Sequence, residues 1–304
     1  MRSAILRTLA YQASWQYTPT VLELQKFLDY KQDVSKIDNQ TFQQVLQELN
    51  QEGIIVIEQG RVALSEYRNQ IFNGKKKELF FWQKLIKAKK VAFYLKLIPS
   101  IESVFLCNTM SLGQVRENSD IDFFIITKPN HIWISRFFSA LPFKLLKLRP
   151  GDKKNQSPIC LSFFISSDFL DFRKWQLTDD DPYVRYWFLS LLPLFDRGGI
   201  SKLWTANKWI LERHISAIPW ISFLNDENSN QEKQTEYSIG ISWIESFFKK
   251  IQIKKMPQHI KDIAQENNTN ILINDKILKF HVIDRRQEIK DKYYEICKKY
   301  NIEA

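Results

Sequence analysis

Two apolar segments joined by a short polar connection constrain this chain more than any other feature of its sequence. Their apolar runs over residues 103–107 and 121–126 predict β-strands, and residues 108–113 between them predict a tight turn into a short helix. Side chains two positions apart in a strand share a face, so Asp120 and Asp122 project together. Burying two carboxylates without partners costs several kcal/mol, so the sequence predicts a bound cation or an open cleft at this pair.

The cation that best fits a pair of carboxylates is Mg²⁺, which prefers hard oxygen ligands and is completed by substrate phosphates. The order strand, turn, short helix and Asp-x-Asp strand resembles the nucleotidyltransferase superfamily of DNA polymerase beta type. In that family the first strand ends in Gly-Ser, a glycine closes the helix, and Asp-x-Asp lies on the next strand. Gly113 and the run from Ser119 to Asp122 match this pattern, whereas Asn108 and Thr109 stand where Gly-Ser is usual.

The resemblance implies an α+β fold, with a small mixed sheet flanked by helices, and an enzyme that transfers a nucleoside monophosphate from an NTP to an acceptor hydroxyl. It implies that Asp120 and Asp122 hold Mg²⁺ and form the catalytic pair. It also implies that the turn and its surroundings bind the triphosphate through backbone N–H groups and hydroxyls. The residues given this nucleotide-binding role are Asn108, Thr109, Gly113 and Ser119. The acceptor stays open between an RNA end, a protein hydroxyl and a small molecule.

One part of the family pattern is missing from the sequence. Active members carry a third carboxylate on a later core strand, and in the strand predicted over 159–165 the corresponding residue is Ser162. Asp152, Asp168 and Asp171 lie just outside this strand and would substitute only if their loops folded inward. The alternative hypothesis is therefore a catalytically degenerate nucleotidyltransferase-fold protein that binds nucleotide or RNA.

Residues 1–69 predict three short amphipathic helices followed by a β-hairpin that turns at Gln59 and Gly60, an arrangement that resembles a winged-helix domain. Pro19 is expected to open the second helix and Thr41 to cap the third. The third helix, which enters DNA in many such domains, contains no Lys or Arg to meet phosphate. We therefore expect a packing or partner-binding module more than a DNA reader.

The chain has a net charge of +10, and most of this excess lies in one segment. Residues 70–98 contain eight lysines and a single acid, Glu78, with apolar residues at helical spacing, which predicts a basic connecting helix. Such a helix binds RNA or another polyanion, or it is a solvated helix whose lysine stems cover the domain below. The lysines that would contact a polyanion are Lys75, Lys76, Lys77, Lys84, Lys87, Lys89 and Lys90.

The predicted nucleotidyltransferase-like core extends over residues 99–224. After its two strands we expect a helix over 132–148 and, following the third strand, helices over 183–195 and 200–215. The aromatic residues of these last two helices are expected to cover the sheet, although they could also stack a base.

Residues 225–304 form a C-terminal region with a polar linker predicted over 225–234. The amphipathic segment 239–251 is expected to pack on its own domain, and a membrane surface or another helix is the alternative. A hairpin-like apolar piece over 271–282 and a charged helix over 285–300 complete the prediction.

Cysteine content and hydropathy bear on the compartment. Three cysteines are too few and too scattered for a disulfide framework, which favours a reducing environment. No apolar segment reaches the roughly 18 to 20 residues that cross a bilayer, and the N-terminus lacks the apolar core of a secretory signal. The sequence therefore predicts a cytoplasmic protein without a membrane span.

Overall fold

The computed structural model describes residues 1–31, 39–150, 157–217, 240–266, 270–280 and 285–303. Its fold is α+β, as the sequence predicted, with a main sheet of six strands and a separate two-stranded hairpin. The strands are β1 (Ile55–Glu58), β2 (Arg61–Leu64), β3 (Ile101–Leu106), β4 (Ile121–Thr127), β5 (Ile159–Ser166), β6 (Leu192–Asp196), β7 (Ile271–Ile273) and β8 (Ile277–Phe280). The α-helices are α1 (Arg2–Ser14), α2 (Val21–Phe27), α3 (Asn39–Gln51), α4 (Gly74–Leu95), α5 (Asn108–Ser111), α6 (Ile132–Leu145), α7 (Pro182–Ser190), α8 (Gly199–Ala206), α9 (Lys208–Arg213), α10 (Gly240–Lys254), α11 (Gln258–Gln265) and α12 (Arg286–Lys299).

The main sheet has the strand order β6-β3-β4-β5-β8-β7. The pair β4 and β5 is parallel, and the other neighbouring strands are antiparallel. A parallel pair needs a crossover connection, and α6 lies between β4 and β5 in the chain. The predicted strands over 103–107, 121–126 and 159–165 are thus confirmed as the three central strands of one mixed sheet.

The two faces of this sheet are covered by different helices. Phe124 and Phe163 point to a core that also contains residues of the three N-terminal helices, α7 and α12. Their chain neighbours Ile125 and Phe164 point to a second core, which is closed by α4 and α6. Because neighbouring residues of a strand face opposite sides, a continuous apolar strand buries both of its faces.

The N-terminal helices and the hairpin are present as predicted. Thr20 caps α2: its hydroxyl accepts from the Glu23 backbone N–H while the Glu23 carboxylate accepts from the Thr20 N–H. Helix α1 is buried on all sides from Ala4 to Ser14 because α2, α3, β2 and α12 surround it. The expected cap at Thr41 is wrong, since α3 already includes Asn39.

The helix predicted over 183–195 ends at Ser190, and β6 takes the last residues of that segment to the edge of the sheet beside β3. Proline has no N–H and breaks a helix, whereas an edge strand tolerates it, so Pro193 favours the strand. The helix predicted over 200–215 is also interrupted, at the buried Asn207. Its amide donates to the carbonyls of Leu170 and Leu203, which ties the break to the neighbouring loop.

The C-terminal region adds helices to both faces of the main sheet and two strands to its edge. Helix α10 packs on α6, as expected for the amphipathic segment, and α12 packs on α1 and α7. The predicted hairpin is confirmed as β7 and β8, and it extends the main sheet beyond β5, which the sequence did not indicate. The predicted linker over 225–234 lies outside the described residues. Among those that are described, no helix combines the length and apolar character of a membrane-spanning helix.

Candidate functional site

The Asp-x-Asp motif lies at the beginning of β4, next to β5. Asp122 is paired in register with Cys160, and Asp120 immediately precedes the strand. One ligand atom from each of these three residues lies within 4.8 Å of the others, which is close enough to share a metal ion. The sequence predicted the two carboxylates, but it did not predict that Cys160 would lie beside them.

Burial determines the protonation of this group. It raises the pKa of Asp122 to about 6, against hydrogen bonds from Cys160 and Asn108 that lower it. Burial also raises the pKa of Asp120, while the charge of Lys84 lowers it. Burial and the Asp122 charge raise the pKa of the Cys160 thiol well above its usual range. The site therefore places two carboxylates, which a cation would keep ionised, beside a neutral thiol.

The turn before the motif contains two residues with a left-handed backbone. Asn108 has φ of 57° and Gly113 has φ of 65°, both in the left-handed region. The Asn108 side chain accepts from the Trp187 indole N–H at 2.9 Å and hydrogen-bonds to Asp122. The Asn108 side chain thus links Asp122 to the Trp187 indole. Thr109 lines the adjacent cleft.

Gly113 and Ser119, two residues to which the resemblance gave a nucleotide-binding role, shape the loop and are not part of the cleft lining. The Ser119 hydroxyl donates to the Arg116 carbonyl at 2.9 Å and accepts from the Arg116 N–H at 3.2 Å. The ammonium of Lys84 donates to the Ser119 carbonyl and lies 3.4 Å from its hydroxyl oxygen. This loop is therefore anchored from α4.

Some lysines of α4 bond to the protein itself, and others are exposed to solvent. Lys84 is only 3% exposed, so its predicted contact with a polyanion is wrong: its ammonium is used on the motif loop. Lys77 bonds to the Gln114 amide oxygen, and Lys87 donates to the Ser157 carbonyl at 2.6 Å. Exposed lysines of the predicted set are Lys89 and Lys90. The side chains of Lys75 and Lys76 lie outside the described residues.

No third carboxylate joins the aspartate pair within the described part of the chain. Ser162 lines the cleft, and its hydroxyl oxygen lies 3.2 Å from the Cys160 sulfur. Asp168 pairs with Lys276, and Asp171 caps a short 3₁₀-helix by accepting from the Arg173 N–H. Asp152 lies outside the described residues.

The aspartate pair opens into a cleft of about 1130 Å³. Among the described residues, Asp120 and Asp122 are the acids of its lining, which also contains eight cationic side chains, of which Arg285 pairs with Glu288. The cations come from α6 and the residues after it, the end of α10, β8 and the beginning of α12: Arg136, Lys144, Lys147, Arg149, Lys255, Lys279, Arg285 and Arg286. The sequence did not indicate this cluster, because it joins four segments that are far apart in the chain. The β5–β8 pairing, the α6–α10 packing and the packing of α12 on α7 bring these segments together.

Arg136 is the cleft cation with the clearest need for an anion. It donates to the Gln252 amide oxygen at 2.6 Å, stacks 4.5 Å from the Phe280 ring centroid, and has a buried Nε without a hydrogen-bond partner. Burial and the charge of Arg149 lower its pKa to about 10. A phosphate group beside these two arginines would offset both the burial of the Arg136 charge and its repulsion by Arg149.

Comparison of the chain with protein-family models, with curated proteins and with solved structures gives no match. Functional inference therefore rests on the motif and on the geometry of the cleft.

Proposed function

We propose that this chain is a Mg²⁺-dependent nucleotidyltransferase of DNA polymerase beta type, which transfers a nucleoside monophosphate from an NTP to an acceptor hydroxyl. The observation that carries the proposal is that Asp120 and Asp122 meet in a cleft with a large excess of cationic side chains. Carboxylates attract a divalent cation and the cationic walls attract phosphates. The cleft thus offers both kinds of partner that a metal-bound triphosphate needs.

The donor set fits Mg²⁺ through its oxygens. Asp120 and Asp122 supply hard carboxylate ligands, and Mg²⁺ commonly takes one or two carboxylates together with substrate phosphates. Cys160 would suit a softer ion such as Zn²⁺ only as a thiolate, but burial favours its neutral thiol. We therefore assign the metal to the two aspartates, with Cys160 as a neighbour that packs against them.

The chain's own residues would position the reactants. Asn108, at the left-handed turn, and Thr109 line the cleft beside the aspartate pair, where they would meet a triphosphate, and Arg136 with Arg149 would offer guanidinium groups to phosphate oxygens. When bound, Mg²⁺ neutralises phosphate charge and activates the attacking hydroxyl. Catalysis of phosphoryl and nucleotidyl transfer depends mainly on such positioning and charge stabilisation.

The size of the cleft suits a nucleotide. Small-molecule pockets usually measure roughly 300–1,000 Å³, and this cleft measures about 1130 Å³.

A specific observation favours the alternative, a degenerate protein that binds nucleotide or RNA without transferring it. The place of a third carboxylate next to Asp122 is taken by Cys160 and Ser162 within the described residues. Two-metal transfer needs carboxylates to hold the second ion. Binding of a metal-bound NTP is common to both hypotheses, and transfer separates them.

The first experiment measures binding. A fluorescent NTP analogue is titrated with the purified chain in Mg²⁺ and again in EDTA, and we expect binding only with the metal. Asp122→Asn should weaken it about 10- to 100-fold, as loss of a site's metal ligand or its support does. Asp168→Asn is the matched control, because this carboxylate pairs with Lys276 outside the cleft lining. Metal-independent binding, or equal affinity in both variants, would refute the site.

The second experiment measures transfer of an α-labelled nucleotide to RNA, to the protein itself and to small hydroxyl compounds. Transfer by the native chain that Asp122→Asn abolishes supports the enzyme. Transfer that occurs only after Cys160→Asp, which adds a third carboxylate beside the pair, identifies the native chain as the degenerate binder.

A further inference from the structure

Three helices form a single outer layer over one face of the main sheet. Helices α4 and α6 close the core on that face. The Tyr94 hydroxyl of α4 donates to the Phe138 carbonyl of α6 at 2.7 Å. On the other side of α6, the Phe137 and Phe138 rings lie 4.6 Å and 5.6 Å from the Phe248 ring of α10. The inner sides of α4, α6 and α10 are thus used for packing, and their outer sides face away from the sheet.

The outer side of this layer is unusually apolar. Among the described residues, fifteen large hydrophobic side chains are exposed, and eleven of them lie on α4, α6 and α10 or in the turns directly after α4 and α6. Exposed apolar side chains that occur singly are normal, whereas a contiguous group marks an interaction surface.

The group on α4 forms an exposed apolar stripe, with Lys89 and Lys90 between Ile86 and Phe93. Leu79, Trp82, Ile86, Phe93 and Leu97 are each 56% to 69% exposed. Their spacing of three, four and seven residues keeps them on one side of the helix. At 1.5 Å per residue the helical part of the stripe, from Leu79 to Phe93, is roughly 21 Å long. It lies opposite the buried residues of the same helix, so α4 is apolar on both its inner and its outer side.

The charge of the layer favours an anionic partner. Exposed lysines accompany the stripe and its neighbours: Lys89, Lys90, Lys96, Lys147, Lys250 and Lys254. Acids are almost absent, because α6 and the residues after it up to Pro150 have none, and α4 and α10 have one each, Glu78 and Glu245. Glu245 is buried and accepts from the backbone N–H groups of Trp133 and Ile134. The surface therefore combines apolar and cationic groups with a single exposed acid.

We infer that the outer layer of α4, α6 and α10 docks this protein on a membrane surface that contains anionic lipids. Interfacial protein surfaces bury Trp, Phe and Leu side chains at the headgroup boundary while lysines contact anionic headgroups. Nucleic acid would use the lysines but leave the apolar stripe in water, so lipid satisfies both features at once. The docking surface shares Leu141 and Lys147 with the cleft lining, but it does not include Asp120 or Asp122, so the inference holds whether or not the proposed function is correct.

The test is sedimentation of the full chain with lipid vesicles. We expect binding to vesicles that contain phosphatidylserine, weaker binding at high salt, and little binding to phosphatidylcholine alone. Ile86→Ser should reduce binding by roughly tenfold. Leu22→Ser is the matched control, because Leu22 is 61% exposed and Ile86 is 62% exposed, but Leu22 lies on α2, away from the layer. Lys89→Gln with Lys90→Gln should also reduce binding by tenfold or more.

Both serine substitutions replace exposed side chains, so unchanged thermal unfolding is expected and confirms that the variants are folded. The inference is overturned if the native chain binds neither vesicle, or if Ile86→Ser and Leu22→Ser bind alike. It is also overturned if the chain forms a dimer that Ile86→Ser dissociates while vesicles stay unbound, since a second copy would then cover the layer.

Discussion

A buried aspartate, Asp29, connects the N-terminal helices to the helices that cover the sheet. Its side chain is fully buried, and its two oxygens accept from Arg213 at 2.8 Å and from Arg185 at 3.1 Å. Asp180 contacts the same two arginines from the surface, where its side chain is 48% exposed. We predict that Asp29→Asn destabilises the fold, because it removes the buried charge that these arginines face.

The magnitude follows from the pKa of Asp29. Burial by itself would raise this pKa, but the charges of His214, which is protonated only below about pH 4, and of Arg185 and Arg213 outweigh it and lower the pKa from 3.8 to about 2. At 1.36 kcal/mol per pKa unit, ionisation of Asp29 contributes about 2.5 kcal/mol to the free energy of unfolding. Because the folded-state pKa is the lower one, this contribution is complete above the unfolded value near 4 and is lost as pH falls toward 2.

The assay is urea unfolding of the native chain and of Asp29→Asn at pH 7 and at low pH. We expect a loss of about 2–3 kcal/mol at pH 7 and a much smaller difference near pH 2. Asp180→Asn is the control, and it should cost less than about 1 kcal/mol because the Asp180 carboxylate is half exposed and solvent screens its charge. Equal stability of Asp29→Asn and the native chain at pH 7, or a difference that does not change with pH, would refute the electrostatic explanation.

Three further predictions concern stability. Burial lowers the pKa of His214 from 6.5 to about 4, so on acidification the unfolded chain takes up a proton before the folded chain does. The free energy of unfolding should therefore fall by about 3 kcal/mol between pH 6.5 and 4, and His214→Gln should flatten this slope. Asn207→Ala should cost about 2–3 kcal/mol in urea unfolding, because it strands two carbonyls and the Phe172 N–H, whereas Asn50→Ala on the exposed side of α3 should be nearly neutral. Gly199→Ala should lower the melting temperature and cost about 1–3 kcal/mol, since a Cβ there would clash with the Ser103 hydroxyl, and an unchanged melting temperature would contradict this close packing.

The sequence was informative where one short segment contains the whole signal. The strands around Asp120 and Asp122 have continuous apolar runs, and the N-terminal helices have clear helical spacing, so both were predicted correctly. The helix expected over 183–195 shows the limit of this reasoning. Its apolar residues fit either a helix or an edge strand, and pairing with β3 decided in favour of β6 for residues 192–196.

The sequence likewise predicted one part of the candidate site and did not predict the other. The order of residues along the chain determined that two carboxylates share a face of β4, because alternation in a strand is a local property. Only the tertiary structure decided what surrounds them. Cys160 reaches the pair because β4 and β5 run parallel in a particular register. The eight cleft cations meet because β8 pairs with β5, α10 packs on α6 and α12 packs on α7. Such contacts depend on which elements become neighbours, and local spacing along the chain does not determine that.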